Sequence, residues 1–380
     1  MKQRFFFFLF IIFSLGLKAE FINIGVYHGK NIKSFEFSIR AGQYSLFSEK
    51  GKLLELAGGT KVTVTHASNG IKLQKDGQNI GSFQRLNFVG TGWYNHFLVK
   101  PSGGLTAHRY DDNLKVMAQH SGLQLINNID LDNYVAGVVE AEVGRKPPVE
   151  YFKLQAIICR TYALSNTHKH LLEGFNLCDQ VHCQAYHGKT FHTPIVEAAL
   201  QTRGAVIVDS EIGLITAAFH SSCGGQTVNS EDVWSKSLYY LRSVEDTFCI
   251  NRKNAYWEKT IPKQQWHGFI AKKVKREHLD SISLPFSPLI REKDYFGSKT
   301  GLSLEDLRNH FKLRSTFFEV REHGDSVLLC GRGYGHGVGL CQIGAMEMAK
   351  RGYTYAQILH YYYQGVHIID LSALDFFKSD

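Results

Sequence analysis

Leu131-Asp-Asn-Tyr-Val-Ala-Gly-Val-Val-Glu-Ala-Glu142 is where the hydrophobic period of this 380-residue chain changes from two to that of a helix. Upstream, over 20–127, short β-like runs (61–65, 71–74, 97–99, 123–126) alternate with Gly, Asn, Asp and Ser punctuation, which predicts sheet. Downstream, helical spacing holds over 134–142 and 149–172, the second stretch opening after Pro147 and Pro148. Strand-like runs return at 204–208 and 215–220, and helices at 343–351 and 355–362 are separated by Gly352; a polar insertion over 250–300 has no readable period. The expectation is an α+β protein. A β-rich region, 20–125, precedes a mixed helix and strand domain with a central cleft, 126–370, without repeats or a low-complexity linker.

Placed on a helical wheel at 100° per residue, with Asp132 as the expected cap, Val135, Val138, Val139 and Glu142 fall on one face, while Glu140 points away. A carboxyl group set among valines loses hydration, which favours its protonated form and suits it to general-acid chemistry. The competing reading is a carboxylate at a helix end that reaches water or pairs with Arg145 or Arg160.

The first residues bear on compartment. Lys2 and Arg4 precede an apolar run from residue 5 to 17, with small Ala19 beyond, and this matches an export signal, whose apolar core is about 7–15 residues, more closely than the roughly 20 needed to span a bilayer. Residues 1–19 therefore read as a signal peptide and the protein as exported to the periplasm or cell envelope. An uncleaved anchor is the alternative, and the only membrane attachment expected. The net charge of +8 becomes +5 once Lys2, Arg4 and Lys18 leave with the first 19 residues. That mild basicity suits an anionic polymer of the envelope, and the absence of dense Lys/Arg clusters argues against nucleic acid.

Seven cysteines, an odd number, cannot all pair. Cys159 lies on a predicted helix and reads as a small buried apolar residue. Cys178-Asp-Gln-Val-His182-Cys183-Gln-Ala-Tyr186-His187 combines thiols and imidazoles after His168 and His170, the donor chemistry of zinc, although its spacing is not that of a C-x-x-C knuckle. Zinc with ligands contributed by more than one segment, a Cys178–Cys183 disulfide and free thiols all remain open. Two more loops stand out. Phe219-His220-Ser221-Ser222-Cys223-Gly224-Gly225 leaves a strand end with an imidazole and two hydroxyls; lacking a G-x-S-x-G elbow, it reads as a polar binding loop rather than a nucleophile. Gly331-Arg-Gly-Tyr-Gly-His336-Gly-Val-Gly-Leu-Cys-Gln342-Ile-Gly-Ala345 brings bare backbone to a surface ahead of a helix.

Three blocks, 131–142 with Gln155-Ala-Ile-Ile-Cys-Arg160-Thr161-Tyr162-Ala163, the 219–225 loop, and the 335–345 loop, resemble the family of stage II sporulation protein D and the LytB-type amidase enhancers, over residues 125–370. The resemblance implies action on peptidoglycan glycan strands as a lytic transglycosylase that leaves 1,6-anhydro ends on N-acetylmuramic acid, with an N-acetylmuramoyl-L-alanine amidase as partner. It aligns Glu142 with the family's catalytic acid, although Val143-Gly144 replaces the usual Met-Pro. It makes Cys178, His182 and Cys183 zinc candidates, with His170 a weaker fourth. His220, Ser221, Ser222, His336, Gln342, Arg160 and Tyr186 become candidates for holding sugar, and the 335–339 amides candidates for an anion. If the two loops line one cleft, Cys223 and Cys341 become candidates for a disulfide that fastens it. The sequence offers no second acid in a matched motif, which favours the one-acid chemistry over paired carboxylates. A non-catalytic glycan binder that enhances an amidase is the competing reading, and a zinc hydrolase, without H-E-x-x-H, ranks last. Engulfment, division and growth all fit.

Overall fold

A computed structural model describes residues 20–373 apart from 235, 251, 253, 254 and 283. The export signal read in residues 1–19 lies outside the described residues. No described helix is long and apolar enough to cross a membrane.

The alternation upstream of residue 131 builds two mainly antiparallel sheets. One runs in the order Leu177–Cys178, Phe21–Val26, Leu123–Asp130, Asn113–Ala118, Arg85–Gly90, Tyr44–Ser48, Gly51–Leu56; the other in the order His108–Asp111, His96–Pro101, Ser34–Ala41, Lys61–Ala67, Gly70–Lys75, Gln78–Phe83. Phe35, Phe37, Phe97 and Val99 of the second sheet and Tyr44, Leu46, Phe88 and Val116 of the first share one core, with Phe37 stacked on Phe88 at 4.2 Å between ring centroids. That core does not stop at residue 125. It continues into Tyr134, Val135, Val138 and Val139, and the boundary read at 125/126 falls inside the strand Leu123–Asp130.

Helix α1 (Leu131–Val143) begins at a different cap from the one expected. The Asp130 carboxylate accepts the amides of Asp132 and Asn133 at 2.9 and 3.3 Å, and Gly144, at φ 69°, ends the helix. Asp132 is instead buried and bound to Arg160 on helix α2 (Val149–Ser165) at 2.7 and 3.1 Å and to Arg203 at 2.5 Å. Helix α2 is shorter than the predicted 149–172: it stops at Asn166, and a 3-10 turn, Leu171–Glu173, follows. One face of α2, with Phe152, Ala156 and Cys159, packs on the sheets, α1 and α3 (Thr193–Gln201). The other, with Tyr151, Leu154 and Ile158, anchors a second core shared with the helices Gln342–Lys350 and Tyr355–Tyr362. Within the expected strand 215–220 only Phe219–His220 pairs, parallel to Leu340–Cys341.

The unread insertion is a unit with its own core. Strands Tyr256–Pro262, Ser326–Arg332 and Phe318–His323 form an antiparallel sheet covered by Trp266, Phe269 and Ile270 of the helix Lys263–Lys273 and by Leu304 and Leu307 of the helix Leu304–Phe311.

Candidate active site

Glu142 sits on the last turn of α1, half-buried, and its Oε1 accepts the amide of Ala185 at 2.9 Å. Burial raises its pKa, and the Ala185 amide and the nearby His187 only partly offset that. Neither competing partner reaches it: Arg145 is paired with Glu140, and Arg160 with Asp132. Gly137 explains how the Ala185 loop comes so close. A Cβ there would lie 2.4 Å from the Gly188 carbonyl oxygen and 2.6 Å from the Tyr186 ring, so only glycine lets this loop lie on α1.

The same loop carries the thiols and imidazoles. Donor atoms of His170, Cys178, His182 and Cys183 all lie within 4.8 Å of one another; Cys178 Sγ is 3.3 Å from His182 Nδ1, and Cys183 Sγ is 3.5 Å from His170 Nε2. The two cysteines are free thiols, so no disulfide joins them. The Glu173 carboxylate accepts from His170 Nδ1 at 2.5 Å, the outer partner that orients an imidazole ligand toward a metal. Two cysteines, two histidines and an ordered second shell fit a tetrahedral zinc ion. His170, the weakest ligand on sequence grounds, belongs to the set. The strand Leu177–Cys178 and the bonds from the Tyr27 and His28 amides to Asp179 fasten this loop to the first sheet.

The two remaining loops meet through the Phe219–His220 and Leu340–Cys341 pairing and the bridge between Ser222 and Tyr334. Close packing is why the second loop is glycine-rich: a Cβ on Gly339, whose φ is 69°, would sit 2.2 Å from the Ala218 carbonyl oxygen. The loop presents backbone to its neighbour, and the amides of Gly335 and Val338 are taken by Arg314 O and His336 Nδ1. His336 donates from Nε2 to Phe219 O at 3.0 Å, which commits both its ring nitrogens to backbone. His220 donates from Nδ1 to Val338 O at 3.1 Å and leaves Nε2 without a protein partner; the Gln342 side-chain amide nitrogen is also unpartnered. Burial holds the His336 imidazole down to about 4 and that of His220 well below its ordinary value, so both are neutral at pH 7. Tyr151 is fully buried in the core next to these loops, with its hydroxyl donating to Gln155 Oε1 at 3.3 Å, and burial pushes its phenol pKa well above the ordinary value.

Three expected sugar contacts are interior residues. Arg160 is fully buried, with its guanidinium donating to Asp132, Ala199 O and Ala205 O. Tyr186 is buried between α1 and the sheets, its hydroxyl donating to Asn127 Oδ1 at 3.1 Å. Ser222 is fully buried beside Cys249, whereas Ser221 is half-buried and accepts the Ile343 amide through its carbonyl. A tyrosine or arginine in a sequence shows no depth, and only the sheet register and the α1 and α3 packing put these inside. Cys223 and Cys341 do come together, as free thiols: the Cys223 amide donates to Cys341 Sγ at 3.3 Å. Sequence reading missed Cys249 and Asp246, which join them from a segment without any motif.

A family model described as Stage II sporulation protein matches residues 119–208, the segment from the last long strand through α1, α2 and the thiol-imidazole loop to the strand Ala205–Val208. Stage II sporulation protein D of Bacillus subtilis is 30% identical over 266 residues, which cover 66% of this chain and 77% of that protein. An amidase enhancer of the same organism is 28% identical over 286 residues, 60% of this chain and 39% of that protein. An uncharacterized protein of Brachyspira hyodysenteriae is 27% identical over 305 residues, 77% of this chain and 81% of that protein. The chain belongs to the stage II sporulation protein D family.

Proposed function

We propose that this protein remodels the bacterial cell wall as a peptidoglycan lytic transglycosylase with Glu142 as its acid and base. Family membership supports the cell-wall role. The observation that carries the chemistry is the carboxyl group of Glu142, desolvated at the end of α1 and steadied by a single amide, with the neighbouring Glu140 paired to Arg145. In its protonated form Glu142 donates to the glycosidic oxygen as the bond from C1 of N-acetylmuramic acid breaks. The resulting carboxylate then accepts the proton of the C6 hydroxyl as that oxygen bonds to C1. The product carries a 1,6-anhydro ring, no water is consumed, and Glu142 returns to its acid form.

His220 and Gln342 keep unpartnered nitrogens, but both atoms are buried, so among the expected contacts of these loops the half-buried Ser221 is the one placed to meet a sugar directly. His170, Cys178, His182 and Cys183 would hold zinc. Bound there, the ion cross-links the loop, and the loop's own Ala185 amide fixes the Glu142 carboxylate. With residues 1–19 read as an export signal, the work is done in the periplasm or cell envelope, on strands stripped by an amidase partner.

The test is mass spectrometry of products from intact and amidase-stripped strands, comparing wild type with Glu142→Gln. Anhydro ends that vanish in the variant carry the reading, and the preferred strand places the step relative to the amidase. The relative named amidase enhancer favours one competing reading, a binder that stimulates an amidase without Glu142. Strands bound but uncut by wild type, with amidase stimulation unchanged in Glu142→Gln, would establish that reading instead.

A further inference from the structure

We propose a second zinc site, separate from the histidine-containing cluster, in which Cys223, Asp246, Cys249 and Cys341 bind one ion that ties the two binding loops together. The four donor atoms lie within 4.8 Å of one another and all four residues are buried. Cys223 Sγ is 3.3 Å from Cys249 Sγ and 3.2 Å from Asp246 Oδ2. Metal bonds of about 2.3 Å to sulfur and about 2.0 Å to oxygen make tetrahedral edges of roughly 3.5–3.8 Å, so these two pairs need to spread by only a few tenths of an ångström. Three sulfurs and one carboxylate select zinc over the oxygen-seeking magnesium and calcium.

The surroundings are those of a negative centre. Amides of Cys223 and Gly344 donate to Cys341 Sγ at 3.3 and 3.4 Å; the Tyr362 hydroxyl and the Phe248 amide donate to the two oxygens of Asp246 at 2.9 and 3.0 Å. Such outer donors orient thiolate and carboxylate ligands. Arg291 is buried, donates to Cys223 O at 2.6 Å, and has no ion pair among the described residues. A buried guanidinium requires a counter-charge, and zinc with three thiolates and a carboxylate is a doubly negative one. The ligands come from three separate segments. Cys223 follows His220 by three residues and Cys341 directly precedes Gln342, so the ion sets the spacing of the two side chains that keep unpartnered nitrogens.

Native mass spectrometry of the full chain, purified from zinc-supplemented medium without chelator, tests this by counting ions. Wild type is expected to carry two, Cys249→Ser one, Cys178→Ser one, and the double variant none. If the histidine-containing cluster holds no zinc, wild type carries one ion that is lost in Cys249→Ser and kept in Cys178→Ser, and the proposal still stands. An ion count unchanged by Cys249→Ser overturns it, as does an intact mass lighter by two hydrogens that maps to a disulfide among these thiols. Should Cys249→Ser fail to fold, cobalt replacement in wild type and Cys178→Ser supplies the answer. Thiolate-to-cobalt absorption that persists in Cys178→Ser supports the site, and its loss overturns it.

Discussion

Glu142 is set for acid chemistry by where it stands, and the same placement has a cost in stability. Its folded pKa is raised by burial from an ordinary value of 4.5. A raised carboxyl contributes stability that is fully present below the ordinary value and is lost as pH climbs through the folded one, so above that point the ionised group opposes folding. Glu142→Gln removes the proton donor and the buried charge together. Glycan cleavage should fall by about 10²–10⁴-fold, the usual contribution of a positioned general acid. In thermal melts across pH, the variant should match wild type in acid and gain on it as pH rises through the window above 4.5. A variant that loses stability uniformly with pH would mean the carboxyl is a structural hydrogen-bond acceptor instead. Activity should follow the protonated fraction and decline on the alkaline side. Neutral His220 and His336 add no titration of their own between pH 5 and 8.

Helix α1 works because the 185–188 loop lies flat on it, and Gly137 allows that contact. Alanine at an ordinary helix position would gain about 1 kcal/mol over glycine from propensity. Here its methyl group would meet the Gly188 carbonyl oxygen at 2.4 Å, and overpacking of this kind costs about 1–3 kcal/mol, so the clash wins. Gly137→Ala should therefore lower the melting temperature and pull the Ala185 amide from Glu142. Since that amide lowers the carboxyl pKa, its loss should move the alkaline limb of the activity profile to higher pH. An unshifted limb would mean the loop does not govern Glu142. Periodicity made α1 and the helix Tyr355–Tyr362 readable, and the wheel singled out Glu142 because three valines share its face. Gly137's role was not readable, because the partner that needs its missing Cβ is some fifty residues away. Asp132 misled for a related reason: an Asp at a helix start reads as a cap, but Asp130 takes that role and Asp132 is drawn inward by Arg160 and Arg203. Removing one of its two cations, as in Arg160→Met, leaves buried Asp132 with Arg203 alone. With one charge-assisted partner lost and the other kept, this should cost about 1.5–3 kcal/mol in denaturant unfolding, still more than an exposed ion pair would.

The insertion 256–332 has a core of its own and meets the rest of the chain at several points, among them the Gly335 amide on Arg314 O and the Lys293 ammonium on Glu231 O. Its period could not be read from sequence because its central strand, Ser326–Arg332, pairs with one neighbour, Tyr256–Pro262, across a long excursion, while its apolar residues are scattered among charges. The side chain that reaches furthest into the binding loops is Arg291, which donates from its amide and Nε to Gln226 and from Nη2 to Cys223 O, and lies so close that a Cβ on Gly337 would be 2.8 Å from its Nη1. Within the insertion the same guanidinium donates to Thr316 and faces the Phe317 ring at 5.1 Å. Arg291→Met keeps the length and loses every side-chain hydrogen bond. With charge-assisted bonds contributing about 1.5–3 kcal/mol each and not adding fully, the expected loss is about 3 kcal/mol. The loss should be local in kind. Hydrogen exchange should speed up in 219–228 and 333–341 while the sheets of residues 21–130 stay protected, because their core shares no side chain with Arg291. Glycan affinity should weaken along with that loosening while the Glu142 pH profile stays put, since α1 and the 185–188 loop lie on the other core. Exchange that rises evenly through the sheets would show instead that the insertion supports the whole fold rather than the placement of the two loops.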